Sequence, residues 1–347
     1  MTTHYPSYVV NNITSATMKD IANKTGLGLA TISKYLNGGS VREKNRLAIE
    51  KAIAELDFTV NEFARSLKTS KSKTIGVLIP ELSNVFITSV ITVLEDILRQ
   101  NGYGIIVCDS RTDEERQKDA IEFLLSKMVD GIVMMPVGND SKCLKPALDK
   151  KLPVVLVDRT IPSLENQVGE VMVDSRGIAR ECTLCFLERG HRKIGMIAGP
   201  REISTSLGRL SGYRSALEKA GVPYEEKLVV YGGYTMEGGH EAMNTLLDRN
   251  PELTGVFVSN YEMTVGAMLA LNERGLQIPR ELSLIGFDNF ELARVVKPRL
   301  TIAEQPIEEI GRKAAQLLLE QLQEKKPPRR VVLDARLRLG DSVRRIL

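Results

Sequence analysis

The chain has 347 residues, 43% of them hydrophobic and 26% charged, with four cysteines and no tryptophan. That length fits two or three domains, and the composition is that of a water-soluble globular protein. No apolar run approaches twenty residues, residues 1–16 lack a signal-peptide core, and four cysteines make no disulfide framework. A membrane span, export and a secreted cysteine scaffold are therefore not expected, and a reducing cytoplasm is.

Charge is unevenly placed. Residues 1–73 hold 11 lysines and arginines against 6 acidic residues, and the remainder holds 36 against 38. The basic excess lies with the segment TMKDIANKTGLGLATISKYLN at 17–37, which reads as helix, turn and helix. Thr17 is a good N-cap, Met18 to Thr25 makes two helical turns, and Gly26 suits a sharp turn. Leu29 to Asn37 gives a second helix. Ile21, Leu27, Ile32 and Leu36 can share a core, with Ala22 small at the crossing. The opposite face carries Ala30, Thr31, Ser33 and Lys34, groups suited to base edges and phosphates in a major groove. A plain helical hairpin mimics this pattern, so the rest of the chain decides.

A third helix is expected over Arg42 to Leu56, with Leu47, Ile49, Ala52, Ile53 and Leu56 as its apolar positions. A short amphipathic segment follows at 59–68, then the polar linker TSKSKT at 69–74. From Ile75 the pattern becomes strand–helix alternation. Strand-like runs fall at 75–80, 104–110, 131–137, 153–159, 169–175, 193–199, 228–234, 255–260 and 283–289. Helical stretches fall at 85–101, 114–127, 176–190, 206–220, 236–249 and 261–274. This alternation implies parallel sheets covered on both faces, and ten or so strands imply two Rossmann-like subdomains. The fold class is an N-terminal all-α helix-turn-helix domain followed by an α/β body of two such subdomains.

In parallel α/β sheets, ligands sit beyond the carboxyl ends of the strands. Phe86 follows the first strand. Asp158, Arg159, Asp174, Tyr234, Asn260 and Asp288 end others. Such fixed polar groups can orient ligand hydroxyls, although each charged one could equally serve an interlobe salt bridge. Cys182 and Cys185 form a CxxC near His191, but they sit in the apolar helical pattern ECTLCFLERG and read as core, so no metal is expected. GYG at 102–104 precedes a strand and is no dinucleotide fingerprint. No phosphate loop, serine elbow or acid–base pair is visible, so no enzyme and no cofactor is expected.

Several motifs, taken in order, are similar to those of the lactose-repressor (LacI/GalR) family: TMKDIANKTGLGLATISKYLN, FARSLK (63–68), TIGVLIP (74–80), VDGIVMMP (129–136), RGHRKIGMIAGP (189–200), GRLSGYRSAL (208–217), LSLIGFDN (282–289) and PRLTIAEQP (298–306). The resemblance covers 17–340 and implies a transcriptional regulator, a repressor, whose body resembles a periplasmic sugar-binding protein. It implies an extension at 1–16 expected to be disordered, a helix-turn-helix domain at 17–60, a hinge helix and linker at 61–73 and an effector-binding, dimerising body at 74–347. The body divides into an N-subdomain of 74–174 and 305–333 and a C-subdomain of 175–304 and 334–347. Near-palindromic double-stranded DNA, a carbohydrate-like small effector and a second copy of the chain are the implied partners. DNA contact is expected from Thr17, Gly28, Leu29, Ala30, Thr31, Ser33, Lys34, Asn37 and Asn61. Leu67 resembles a minor-groove wedge, or alternatively packs on the body. Arg209, Asp288 and Asp174 occupy effector-binding positions, with Phe86, Asp158, Arg159, Thr205, Tyr234 and Asn260 beside them. This chain departs from the family at Gly28, where Ser is frequent, at Lys34, where Arg is common, at Val60, where Pro is usual, and at Tyr261, where an acid is frequent. A ligand receptor without DNA regulation is the competing reading.

Overall fold

The computed structural model describes residues 16–36, 38–58, 71–288 and 290–346. The expectations for 1–15, Asn37, Asn61, Leu67 and the hinge helix fall outside or mostly outside these residues. The chain separates into two compact units at Ser72/Lys73.

The first unit holds α1 (Met18–Thr25), α2 (Leu29–Leu36) and α3 (Glu43–Glu55). Ile21, Ile32, Ile49 and Ala52 are its buried centre, with Leu27, Tyr35, Leu36, Ile53, Leu56 and Phe58 packed around them. One expected core position is corrected. Leu47 is 54% exposed, because the inward stripe of α3 runs through Ile49, Ala52 and Ile53 and leaves Leu47 on another face.

The second unit begins with β1 (Thr74–Ile79), α4 (Val85–Gln100), β2 (Gly104–Asp109), α5 (Glu114–Ser126), β3 (Gly131–Met134), α6 (Lys145–Asp149), β4 (Val154–Val157) and β5 (Gly169–Val173). It continues through α7 (Ser175–Leu187), β6 (Ile194–Ala198), α8 (Ser204–Lys219), β7 (Val229–Tyr231), α9 (Met236–Arg249), β8 (Gly255–Val258), α10 (Tyr261–Glu273), β9 (Ser283–Phe287), α11 (Phe290–Val295) and β10 (Thr301–Glu304). It closes with α12 (Ile307–Gln323), β11 (Arg330–Leu333) and β12 (Arg336–Arg338).

The strands form two six-stranded sheets, ordered β11-β5-β4-β3-β1-β2 and β12-β10-β9-β8-β6-β7. Every pairing is parallel except β10 with β12, where Ala303 faces Leu337. The chain passes between sheets at 174, at 305–306 and at 334–335. Side chains alternate across each strand. Ile75, Val77 and Ile79 of β1 pack with Leu94, Leu98, Ala314 and Leu318 of α4 and α12, while Leu78 joins Ile121 and Leu124 of α5 on the other face. In the second sheet, Met196 and Phe257 pack with Phe186 and Tyr213 of α7 and α8, and Val256 and Leu284 pack with Met243, Leu246 and Ala270 of α9 and α10. Cys182 and Cys185 belong to the Phe186 core, as their helical spacing implied.

The fold class stands, but some expected elements differ. The strand-like run 228–234 stops at Tyr231, and 232–234 form a turn with Gly233 and Tyr234 both at positive φ. The run 169–175 stops at Val173, because Asp174 caps α7 and Ser175 opens it. α12, β11 and β12 carry no sequence expectation. Both strands lie at sheet edges with alternately exposed residues, so they show no continuous apolar run.

α9 and α10 approach closely through two glycines. A Cβ on Gly266 would meet the Met236 carbonyl oxygen, and one on Gly239 would meet the Met263 backbone. This contact sets the start of α9 beside the start of α10, where Thr235 and Asn260 form N-caps by accepting from Gly238 N at 3.0 Å and Met263 N at 2.9 Å. Gly266→Val should therefore lower stability by about 2 kcal/mol or more through backbone overpacking. A denaturant midpoint matching that of the native chain would show that the helices can separate freely.

Candidate DNA-reading helix and effector cavity

In the first unit, Thr17 donates from its backbone N and from Oγ1 to Asp20 Oδ2, both at 2.7 Å, which fastens the first turn of α1. The Thr17 hydroxyl bond keeps the Asp20 carboxyl below its ordinary titration range. Gly26 sits at φ 67° and donates to Ala22 O at 2.9 Å, ending the helix in the left-handed conformation that glycine accepts. Gly28 has no side chain to cap α2, but its carbonyl accepts from Thr31 N at 2.9 Å and Ile32 N at 3.3 Å. Ile32 anchors α2 inward, and Tyr35 donates to Glu50 of α3 at 2.9 Å.

That anchoring decides what α2 presents outward. Thr17, Gly28, Leu29, Ala30 and Lys34 are exposed, while Thr31 and Ser33 are half-buried. Leu29 is 46% exposed, an apolar group with no cover inside its own unit. Lys34 makes no ion pair among the described residues, whereas Lys24 pairs with Glu55 at 2.8 Å and Arg46 with Glu43 and Glu50. The free cation thus lies on the outward face of the second helix, where a phosphate or a guanine edge can meet it.

In the second unit, the carboxyl ends of both sheets border a cavity of about 600 Å³. Phe86, Asp158, Arg159, Thr205, Arg209, Tyr234, Asn260 and Asp288 all line it. Asp174 does not. It is exposed, and its carboxylate accepts from Gly177 N at 2.8 Å as the cap of α7. The assignment of Asp174 to the effector is corrected on that ground: the residue ends a strand, but its side chain is committed to a helix start. Gln305, Glu262 and Glu81 line the cavity without a sequence expectation. Gln305 was visible in the AEQP motif at a crossing, and Glu262 stands one position beyond the place where the family pattern looks for an acid.

Arg209 is 4% exposed. It donates to Ser259 O at 2.6 Å, and its guanidinium lies 3.9 Å from the centre of the Phe287 ring. Among the described residues its Nε has no hydrogen-bond partner. Gln305 donates to both oxygens of Asp288, at 3.1 and 3.2 Å, while its own Oε1 is buried without a partner. Arg159 donates to Pro136 O at 3.2 Å and stands 3.6 Å from Asp158. Thr205 and Tyr234 share a hydroxyl contact at 3.2 Å, and Asn260 donates to Tyr234 O at 3.3 Å and Glu262 Oε2 at 2.6 Å. Asp158, Tyr234 and Asp288 all hold positive φ, at 66°, 67° and 56°. Aspartate tolerates that region; tyrosine does so less readily, so its ring position is imposed by its surroundings. Unpaired buried donors and acceptors beside aromatic walls, in a cavity of this size, suit a small polar ligand.

Burial pushes the Asp288 carboxyl up to about 7 against the opposing charge of Arg209. Burial also pushes Glu262 up to about 7, with Asp288 and Glu81 adding repulsion.

Residues 17–61 match the family described as bacterial regulatory proteins, lacI family, and residues 184–343 match the periplasmic binding protein-like domain. The chain is 33% identical to the HTH-type transcriptional repressor CytR of Escherichia coli (strain K12), over 89% of this chain and 91% of that protein. It is similar to a solved transcriptional regulator CelR–cellobiose complex at 29% identity and TM-score 0.74, covering 94% of this chain and 99% of that one. The lac repressor dimer bound to operator shares the fold at TM-score 0.84, with 23% identity and 95% and 99% coverage. The chain belongs to the lacI family of bacterial regulatory proteins. It is a DNA-binding transcriptional regulator and not an enzyme, which decides against the receptor reading.

The raised Asp288 carboxyl has a thermodynamic consequence. An unfolded aspartate titrates near 3.8. Between there and about 7 the folded chain binds more protons than the unfolded one, so this group's contribution to stability falls as pH rises and levels off above about 7. Asp288→Asn should therefore gain stability relative to the native chain on going from pH 4.5 to pH 8, by on the order of 2–4 kcal/mol. Thermal melts giving the same variant-minus-native difference at both pH values would refute the raised titration.

Proposed function

We propose that the exposed face of α2, with Thr17, Gly28, Leu29, Ala30, Thr31, Ser33 and Lys34, reads operator DNA, and that the body cavity binds a small carbohydrate-like effector which alters operator affinity. Asn37, Asn61 and the Leu67 wedge belong to the same proposal on sequence grounds alone. The observation that carries the effector reading is Arg209: a guanidinium buried at the cavity wall, fixed on Phe287 and Ser259, with Nε unpartnered. A buried donor without an acceptor is costly, and a ligand hydroxyl is a fitting acceptor. The regulator CelR, solved with cellobiose, supports a sugar in this kind of body.

A single short helix reads few bases, so two copies of the chain are expected on one near-palindromic site. Lys34→Ala should weaken operator binding by ~1–3 kcal/mol if Lys34 reads a base, and should weaken operator and random DNA alike if it meets phosphate. Unchanged affinity for both, or sedimentation showing one chain per operator, would refute this part.

For the effector, calorimetry against mono- and disaccharides including cellobiose identifies a binder among native chains. Arg209→Ala should then abolish its heat of binding and leave operator affinity indifferent to the sugar. An intact sugar affinity in that variant removes Arg209 from the site.

A further inference from the structure

The cavity's charge is not balanced. Six carboxylates and three arginines line it among the described residues. Glu81, Glu114, Glu202 and Arg201 are exposed, where solvent and salt screen them, so the deeper groups decide. Asp158 and Arg159 pair with one another. That leaves Arg209 against two carboxylates, Asp288 and Glu262. Arg209 does not close on either. Its donor bond goes to a backbone carbonyl and its face to Phe287, and neither carboxylate makes an ion pair among the described residues. Among the described residues Asp288 accepts from the side-chain amide and the backbone N–H of Gln305, and Glu262 accepts from Asn260. Among the described residues three buried polar atoms of the lining have no hydrogen-bond partner: Arg159 Nε and Arg209 Nε, which are donors, and Gln305 Oε1, an acceptor beside Asp288.

Two acids that share one arginine's charge and form no ion pair among the described residues, next to the unpartnered Gln305 Oε1, call for a ligand donor bearing positive charge. Resting on the reading of this cavity as a sugar site, we propose that the effector carries a protonated amino group seated against Glu262 and Asp288, which makes its class an amino-substituted carbohydrate. A neutral sugar satisfies Arg209 but brings no added positive charge to the buried Asp288 and the half-buried Glu262. An ammonium supplies three donors and the charge together. Phe86, Tyr234 and Tyr261, which also line the cavity, remain free to pack on the sugar ring.

Proton bookkeeping gives the proposal a signature. Burial holds both carboxyls up to about 7, with Asp158 and Glu81 adding repulsion and Arg209 and the Gln305 amide opposing it. Near neutrality the empty site is therefore partly protonated. An ammonium entering it favours the ionised carboxylates, so those protons leave to solvent.

The test is calorimetry on the full chain with matched pairs: D-glucosamine with D-glucose, D-galactosamine with D-galactose, and D-mannosamine with D-mannose. At least one amino sugar should bind about tenfold or more tightly than its neutral partner. At about pH 6.5, its apparent enthalpy in phosphate and in a buffer of larger ionisation enthalpy should differ in the sense of proton release. Glu262→Gln, which retains an acceptor for Asn260, should reduce the preference about tenfold. If neutral sugars bind as tightly as their amino forms and Arg209→Ala abolishes that binding, the amino assignment is wrong and the sugar cavity stands. If no sugar of either form binds, both readings fall.

Discussion

The arrangement of the second unit depends on one constraint: parallel strands end on the same edge of a sheet. Each right-handed strand–helix–strand passage returns the chain to the same starting edge, so every loop after a strand gathers at the opposite one. Two such sheets place those edges on either side of the cavity described above. Pro80, Val137 and Asp158 come to it from the first sheet, and Pro200, Tyr234, Asn260 and Asp288 from the second. No local sequence feature is needed to bring these residues together, although they span more than two hundred positions. Their convergence is a property of the topology.

The same edge is where the chain departs from relaxed geometry. Asp158, Tyr234 and Asp288 leave their strands through positive φ, and Arg209, Ser259 and Gln305 keep buried polar atoms unpartnered. Each such feature costs on the order of 1–3 kcal/mol. The cores on both faces of each sheet, with Phe186, Tyr213, Leu94 and Leu246 fully or almost fully buried, can carry that cost. Stability made in the sheets is thus set against strain and desolvation at their ends, which leaves each edge with polar groups already placed for contacts.

Much of this was legible in the sequence. The alternation of apolar runs and amphipathic stretches follows directly from sheets covered on both faces, and helix α1 with its glycine turn follows from capping chemistry. The strand-end rule found six cavity-lining residues, Phe86, Asp158, Arg159, Tyr234, Asn260 and Asp288, because a residue's place in a parallel strand fixes its edge, whereas Thr205 and Arg209 came from the family resemblance. It misplaced Asp174, because the rule fixes position and not side-chain direction: the Asp174 carboxylate turns back to Gly177. Glu262 and Gln305 escaped for the complementary reason. Glu262 sits within the first turn of α10, beyond the strand end, where Gly239 and Gly266 let the starts of α9 and α10 lie close together. Gln305 follows β10, a four-residue strand that has no apolar run of its own to mark it. Side-chain direction and helix–helix approach are tertiary facts, and periodicity does not carry them.

Three chain crossings and a few polar contacts join the two sheets at the cavity. Thr160 N donates to Ser204 Oγ at 3.1 Å and Asn139 Nδ2 to Glu202 O at 3.1 Å, each linking a loop of the first sheet to a loop of the second. Such exposed or half-buried bonds are worth little individually, about 1 kcal/mol each. In a hinged pair of this kind covalent crossings serve as the axis, and weak contacts set the balance between more open and more closed arrangements. A ligand touching one sheet alone changes nothing in that balance, however tightly it binds, because its affinity is equal in both arrangements. Only a ligand bridging groups from both edges, such as Arg159 on one side and Arg209 or Asp288 on the other, has a different affinity for each. Its leverage on a regulator's DNA-binding state is limited to that difference. On the proposed effector reading, the polar groups on the two facing edges are therefore where binding free energy becomes a change of state, and the surrounding helices hold those edges in register.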